Sequence, residues 1–165
     1  MKVEMAKLVT FRIGADSFAA EVFAVERALR YAPPNVVPDV PEWVEGVMEY
    51  GGGVIPVVDL RRRIGLDAAA RTAETRILVF AAREGRVGAV VDAVQEVASV
   101  PAASIAPPPA MFRGLAAEFV RGIAKVRDQL VVVLDVDRVL SSADRIAFER
   151  ALDAVDAREG VASRG

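Results

Sequence analysis

Cysteine and histidine are both missing from this 165-residue chain. A chain without either has no disulfide, no zinc site of the usual kinds, and no imidazole for acid–base work or phosphotransfer. No apolar run approaches the roughly 20 residues of a membrane-spanning helix, and the amino-terminal stretch lacks the apolar segment of a secretory signal. Basic residues are not in excess either: the formal net charge is −2 and the isoelectric point is near 5.3. That balance argues against nucleic acid as a partner, which calls for a clustered basic surface. The expectation is a soluble, cytoplasmic protein that uses no metal or cofactor and inserts into no membrane.

Apolar residues, by contrast, are plentiful. They make up 53% of the chain, enough for one ordinary domain or two small, mutually dependent ones. Much of that content is repeated. Glu118–Leu140 aligns without gaps within Glu42–Leu66, with Glu42/Glu118, Val44/Val120, Gly46/Gly122, Val57/Val133, Asp59/Asp135 and Arg62/Arg138 identical. Upstream, Leu8–Phe11 matches Ile77–Phe80, and Phe18 through Val25 matches Val87 through Val94. The chain therefore reads as one small β unit used twice, about five short strands per half, a number typical of small barrels.

Local signals fill in each half. Leu8–Ile13 and Phe18–Val22 read as strands around the turn Gly14-Ala15-Asp16, and the spacing of Val22, Val25 and Ala28 predicts a short helix within Glu21–Tyr31. Four prolines between 33 and 41 impose an extended passage. Glu49–Val58 reads as a hairpin turning at Gly51-Gly52-Gly53, and Asp59 as the N-cap of one helical turn ended by Gly65. In the second half Arg127-Asp128-Gln129 takes the place of the three glycines. Ser141–Glu159 carries Phe148, Ala151, Leu152 and Val155 at helical spacing, which predicts an amphipathic helix lying on one barrel. The division expected is a first barrel over about 8–75, a second over about 76–140, and the C-terminal helix over about 141–159.

No pattern assembles a catalytic site. Asp135 and Asp137 form a D-x-D, but the repeat places Arg61 opposite Asp137, which favours helix capping by Asp135 and Asp59 over metal binding. Arg61-Arg62-Arg63 reads as a solvated face, with an anion site as the lesser reading. Trp43 and Phe119 hold equivalent repeat positions, as core residues would, and Glu42, Glu45 and Glu49 lack a second carboxylate at defined geometry. Val22, Val25 and Ala28 correspond to Val91, Val94 and Val97. For these six, two readings stay open: burial between the halves, or a groove for a partner helix.

The order F-R-I-G-A-D-S-F-A-A-E-V-F-A-V at Phe11–Val25, W-V-E-G-V at Trp43–Val47 and V-I-P-V-V-D-L-R-R-R-I-G at Val54–Gly65 resembles the CheW family of chemotaxis coupling proteins. So do V-G-A-V-V-D-A-V-Q-E-V at Val87–Val97, F-V-R-G-I at Phe119–Ile123 and L-V-V-V-L-D-V-D-R-V-L at Leu130–Leu140. The resemblance implies a mainly β fold of two SH3-like five-stranded barrels packed side by side, with short helices and a C-terminal α-helix. It implies a non-enzymatic adaptor in two-component signalling, recruited to receptor clusters. Its partners would be chemoreceptor cytoplasmic tips, the regulatory domain of a CheA-type histidine kinase and, further, other CheW-like proteins. The receptor groove it implies falls on Val9, Val22, Val25, Ala28, Val94 and Val97, with Gly46 as another partner-linked position.

The chain departs from that family's pattern in two motifs. Members resembling it read G-V-x-N-L-R-G where this chain has Gly46-Val47-Met48-Glu49-Tyr50-Gly51-Gly52, and V-x-E-[VI] where it has Val25-Glu26-Arg27-Ala28. Glu49, Gly51 and Arg27 are thus the candidate specificity-altering positions. An accessory protein that clusters receptors without engaging the kinase is the alternative, and a tandem-barrel RNA- or ribosome-binding module a remote one.

Overall fold

The computed structural model describes residues 3–67, 69–83, 85–108 and 118–139. The helix expected over 141–159 lies outside the described residues. The first half runs β1 (Met5–Ile13), β2 (Asp16–Glu21), a 3-10 turn (Val22–Ala24), β3 (Val25–Arg30), β4 (Val44–Tyr50), β5 (Gly53–Asp59) and the helical turn α1 (Leu60–Arg63). The second runs β6 (Arg76–Ala82), β7 (Gly85–Val91), β8 (Ala93–Pro101), a 3-10 turn (Ala102–Ser104), β9 (Val120–Val126), β10 (Gln129–Leu134) and α2 (Val136–Val139).

Where a helix was expected within Glu21–Tyr31, the chain forms the 3-10 turn and then a strand. The register explains the false signal. β3 pairs β6 through Val25↔Phe80, Arg27↔Val79 and Ala28↔Leu78, leaving Glu26 as a bulge. One extra residue puts Val25 and Ala28, three apart, on the same sheet face, which imitates helical spacing. β8 shows the same irregularity against β1, with Phe11↔Val94, Thr10↔Glu96 and Val9↔Val97.

The two five-stranded sheets have orders β8-β1-β2-β10-β9 and β3-β6-β7-β5-β4. In repeat terms both read third, first, second, fifth, fourth strand. Each sheet takes its first two strands from one half of the chain and the other three from the other half. The division expected at 75/76 is therefore corrected: neither half is a barrel by itself. A repeat marks equivalent strands but not which copy they pair with. Here the turn Val22–Ala24 sends β3 across to the sheet containing β6. The first barrel below is the one containing β1, the second the one containing β3.

Alternate strand faces bury different cores. Phe11, Ile13, Phe18 and Ala20 meet Leu78, Phe80, Val87, Ala89 and Val91 in one cluster spanning both sheets. The opposite faces fill each barrel, with Leu8, Ala19, Val100, Ala124, Val131 and Val133 in the first and Val57, Ile77 and Val90 in the second. Strands buried on both faces read as near-continuous apolar runs, as β1 and β6 do.

Two repeat-equivalent glycines let the proline-rich passages close over the sheets. Asn35 exchanges backbone hydrogen bonds with Val47, and Ala106 does the same with Ile123. A Cβ on Gly46, whose φ is +153°, would overlap the Asn35 carbonyl, and one on Gly122 would lie 2.7 Å from the Ala106 oxygen. Gly46 thus has a structural reason to be glycine.

Candidate functional site

β3 and β8, third strands of their repeats, are edge strands of the two sheets. Cross-strand partners share a face, so Val25 and Ala28 lie on the face of Phe80 and Leu78, the seam face. Val94 and Val97 likewise share the face of Phe11 and Val9. Val25 and Val94 both pack against the seam cluster, Val22 opens the 3-10 turn that links β2 to β3, and Val97 remains 61% exposed. Five of the expected groove residues therefore share the seam face, while Val91, wholly buried, belongs to the core. Gly46 stands apart, on β4 at the opposite edge of its sheet from β3. An exposed aromatic went unread in the sequence: Phe23, 79% exposed, sits in the turn beside Val22.

Arg27 faces the other way. It pairs with Val79 rather than with a seam residue, and so belongs to the interior face of the second barrel, near its mouth. The two mouths match position by position. In the first, Ser17 Oγ donates to Gln95 Oε1 at 3.3 Å, and Glu96 pairs with Arg127 of the β9–β10 turn at 3.1 Å. In the second, Arg86 and Glu26 hold the places of Ser17 and Gln95 and pair at 2.7 Å. Arg86 also lies 5.9 Å from the Tyr50 ring centroid. The places of Glu96 and Arg127 are held by Arg27 and Gly51. An ion pair built in one mouth is thus absent from the other. Both hairpins turn through two successive left-handed residues, Gly51 and Gly52 in one, Arg127 and Asp128 in the other. Nothing lies within 4 Å of where a Gly51 Cβ would sit.

The three consecutive arginines are not the solvated face expected of them. Arg61 pairs with Asp92 at 2.9 Å, and the same carboxylate accepts from Gly14 N at 2.6 Å, tying α1 to the β1–β2 turn. Arg63 is 8% exposed. Its guanidinium lies 4.5 Å from the Trp43 ring centroid and 4.4 Å from that of Phe119, between two repeat-equivalent aromatics. Only Arg62 is substantially open to solvent. The three consecutive cations look alike in sequence because nothing there shows that α1 turns one side to the seam.

Asp59 caps α1 by accepting from Arg61 N at 3.0 Å, as the sequence implied, and Asp135 does the same for Arg138 N at 3.2 Å. Asp137 instead accepts from Arg83 N at 2.7 Å, in the β6–β7 turn. Arg71 reaches Asp59 at 3.2 Å and also pairs with Glu45, which accepts from the Tyr31 hydroxyl at 3.0 Å. Burial nonetheless dominates at Asp59 and pushes its carboxyl above the ordinary 3.8, opposed by backbone donors and by Arg62 and Arg61.

Two SH3-like barrels that exchange strands and share one apolar seam define a tandem-barrel interaction scaffold. The chain belongs to the CheW-like family, whose domain model matches residues 7–144. It is similar to the chemotaxis protein CheW of Rhizobium meliloti, 30% identical over 141 residues that cover 86% of this chain and 91% of that protein. The Bacillus subtilis chemotaxis protein CheW is 31% identical over 134 residues, covering 81% and 86%. The crystal structure of the scaffolding protein TtCheW from Thermoanaerobacter tengcongensis superimposes with a TM-score of 0.79 at 28% identity, covering 86% of this chain and 96% of that one.

Proposed function

We propose that this chain is a non-enzymatic adaptor coupling chemoreceptor cytoplasmic tips to the regulatory domain of a CheA-type histidine kinase. It works by mass-action assembly: contacts to two partners hold them in register, and no bond is made or broken. The observation that carries this reading is the apolar bank of β8 and β1, where exposed Val97 stands beside Val9 on the seam face. Val25 and Ala28 form the other bank, and a helical receptor hairpin lying between them would cover both. Further contacts with CheW-like proteins would extend the assembly at receptor clusters in the cytoplasm.

The accessory reading, receptor clustering without kinase engagement, gains some support from Arg27 and Gly51. The second mouth has no counterpart of the first mouth's strand-to-turn ion pair and presents a partner with a different charge. Binding assays with a receptor-tip hairpin and with the CheA regulatory domain separate the two. Val25→Asp is expected to weaken the receptor arm while the protein stays folded. Unchanged receptor affinity in the folded variant refutes the groove, and kinase binding by the unaltered protein refutes the accessory reading.

A further inference from the structure

We infer that the mouth of the second barrel takes a carboxylate from the kinase-side partner, with Arg27 as its receiving group. The inference rests on the adaptor reading above and adds a specificity-determining residue to it. The first barrel shows what a self-contained mouth looks like. Glu96 on the edge strand and Arg127 on the hairpin turn neutralise each other at 3.1 Å.

The second mouth is built on the same frame with the strand charge reversed and the turn side chain removed. Glu26, the nearest acid in sequence, is already engaged by Arg86 at 2.7 Å. Arg27 itself is exposed and has no carboxylate within ion-pair distance among the described residues. Among the described residues the mouth thus carries one positive charge beyond its internal pair, and nothing lies within 4 Å of where a Gly51 Cβ would sit. An aspartate or glutamate from outside would complete there, with reversed polarity, the pair that Glu96 and Arg127 make internally.

The strand register decides which partner supplies it. Arg27 lies on the face of β3 opposite Val25 and Ala28. A receptor hairpin seated on the seam face therefore leaves Arg27 uncovered, and the second partner is the one that reaches it.

The test is a titration of the full chain, Arg27→Glu, and Arg27→Glu/Gly51→Arg with two probes, the CheA regulatory domain and a receptor-tip hairpin. Arg27→Glu is expected to weaken regulatory-domain binding by about tenfold or more and to flatten its salt dependence, with receptor binding unchanged. The double variant rebuilds the first barrel's ion pair. It is expected to fold at least as stably as the single variant and still to bind the regulatory domain weakly. Unchanged regulatory-domain affinity in folded Arg27→Glu overturns the inference while leaving the adaptor reading intact. A loss confined to the receptor arm overturns it too. Failure of the unaltered chain to bind either probe overturns both.

Discussion

Arg63 Nε donates a hydrogen bond of 2.9 Å to the carbonyl of Val139, the residue that holds Arg63's own place in the second copy of the repeat. Equivalent residues of two copies meet in this way only near the axis relating them. The internal twofold therefore passes between α1 and α2, where Trp43 and Phe119 close on the same guanidinium. Each ring belongs to a different copy, so the arginine joins the halves as well as filling the gap between them.

Removing that side chain opens a gap between two aromatics and costs the Val139 carbonyl a donor. Arg63→Ala is expected to lose about 2–4 kcal/mol of stability. Arg63→Lys keeps the charge but not the flat stacking surface, and is expected to lose less. Urea unfolding followed by the fluorescence of Trp43, the sole tryptophan, checks both.

Gly46 and Gly122 are expected to behave as a pair. Alanine at either forces Asn35 or Ala106 away from the sheet. Gly46→Ala is the more costly, by about 2–4 kcal/mol, because its φ of +153° adds backbone strain. Any loss of partner binding in Gly46→Ala should follow the unfolded fraction measured by thermal denaturation. Binding lost from a fully folded variant would make Gly46 a contact residue instead.

Asp59 sets a pH dependence whose sign is fixed by its raised pKa. Below 3.8 the carboxyl is protonated in both folded and unfolded chains, and burial costs nothing in charge. As pH rises from 3.8 through the higher folded value, the unfolded chain ionises first and stability is lost. Asp59→Asn keeps a capping oxygen and removes the titration. The stability of the unaltered protein relative to this variant is expected to fall across that window, measured by denaturant unfolding at a series of pH values.

Features set within a few residues were legible in the sequence, and features set by pairing across the chain were not. Asp59 capping α1 and the triglycine turn depend on neighbours alone, and both are found as expected. The exchange of strands between halves left no local mark, since β3 has the same residues whichever copy of the first strand it joins. Arg63 was hidden for a similar reason. Burial on the repeat axis follows from how the two copies face each other, while three adjacent arginines look like solvent-facing charge. Val25 and Ala28 stood out through spacing that imitates a helix and Val94 and Val97 as their counterparts in the repeat, and the four share a face because of two bulges.

Val97 offers the least disruptive probe of the groove. At 61% exposure it can accept a charge with a stability change of about 0.5 kcal/mol or less. Val97→Asp is expected to unfold at nearly the same denaturant concentration as the unaltered protein and to bind the receptor hairpin markedly more weakly. Equal receptor affinity would move the receptor site off the β8 bank.

The central claim, that one chain holds two signalling partners at once, is tested most directly by assembling all three in solution. The receptor-tip hairpin and the CheA regulatory domain are mixed with this protein and the mass of the complex is measured. The expected result is a ternary complex containing one chain with both partners, dependent on the chain's presence. Two binary complexes that exclude each other, or no complex at all, would contradict it.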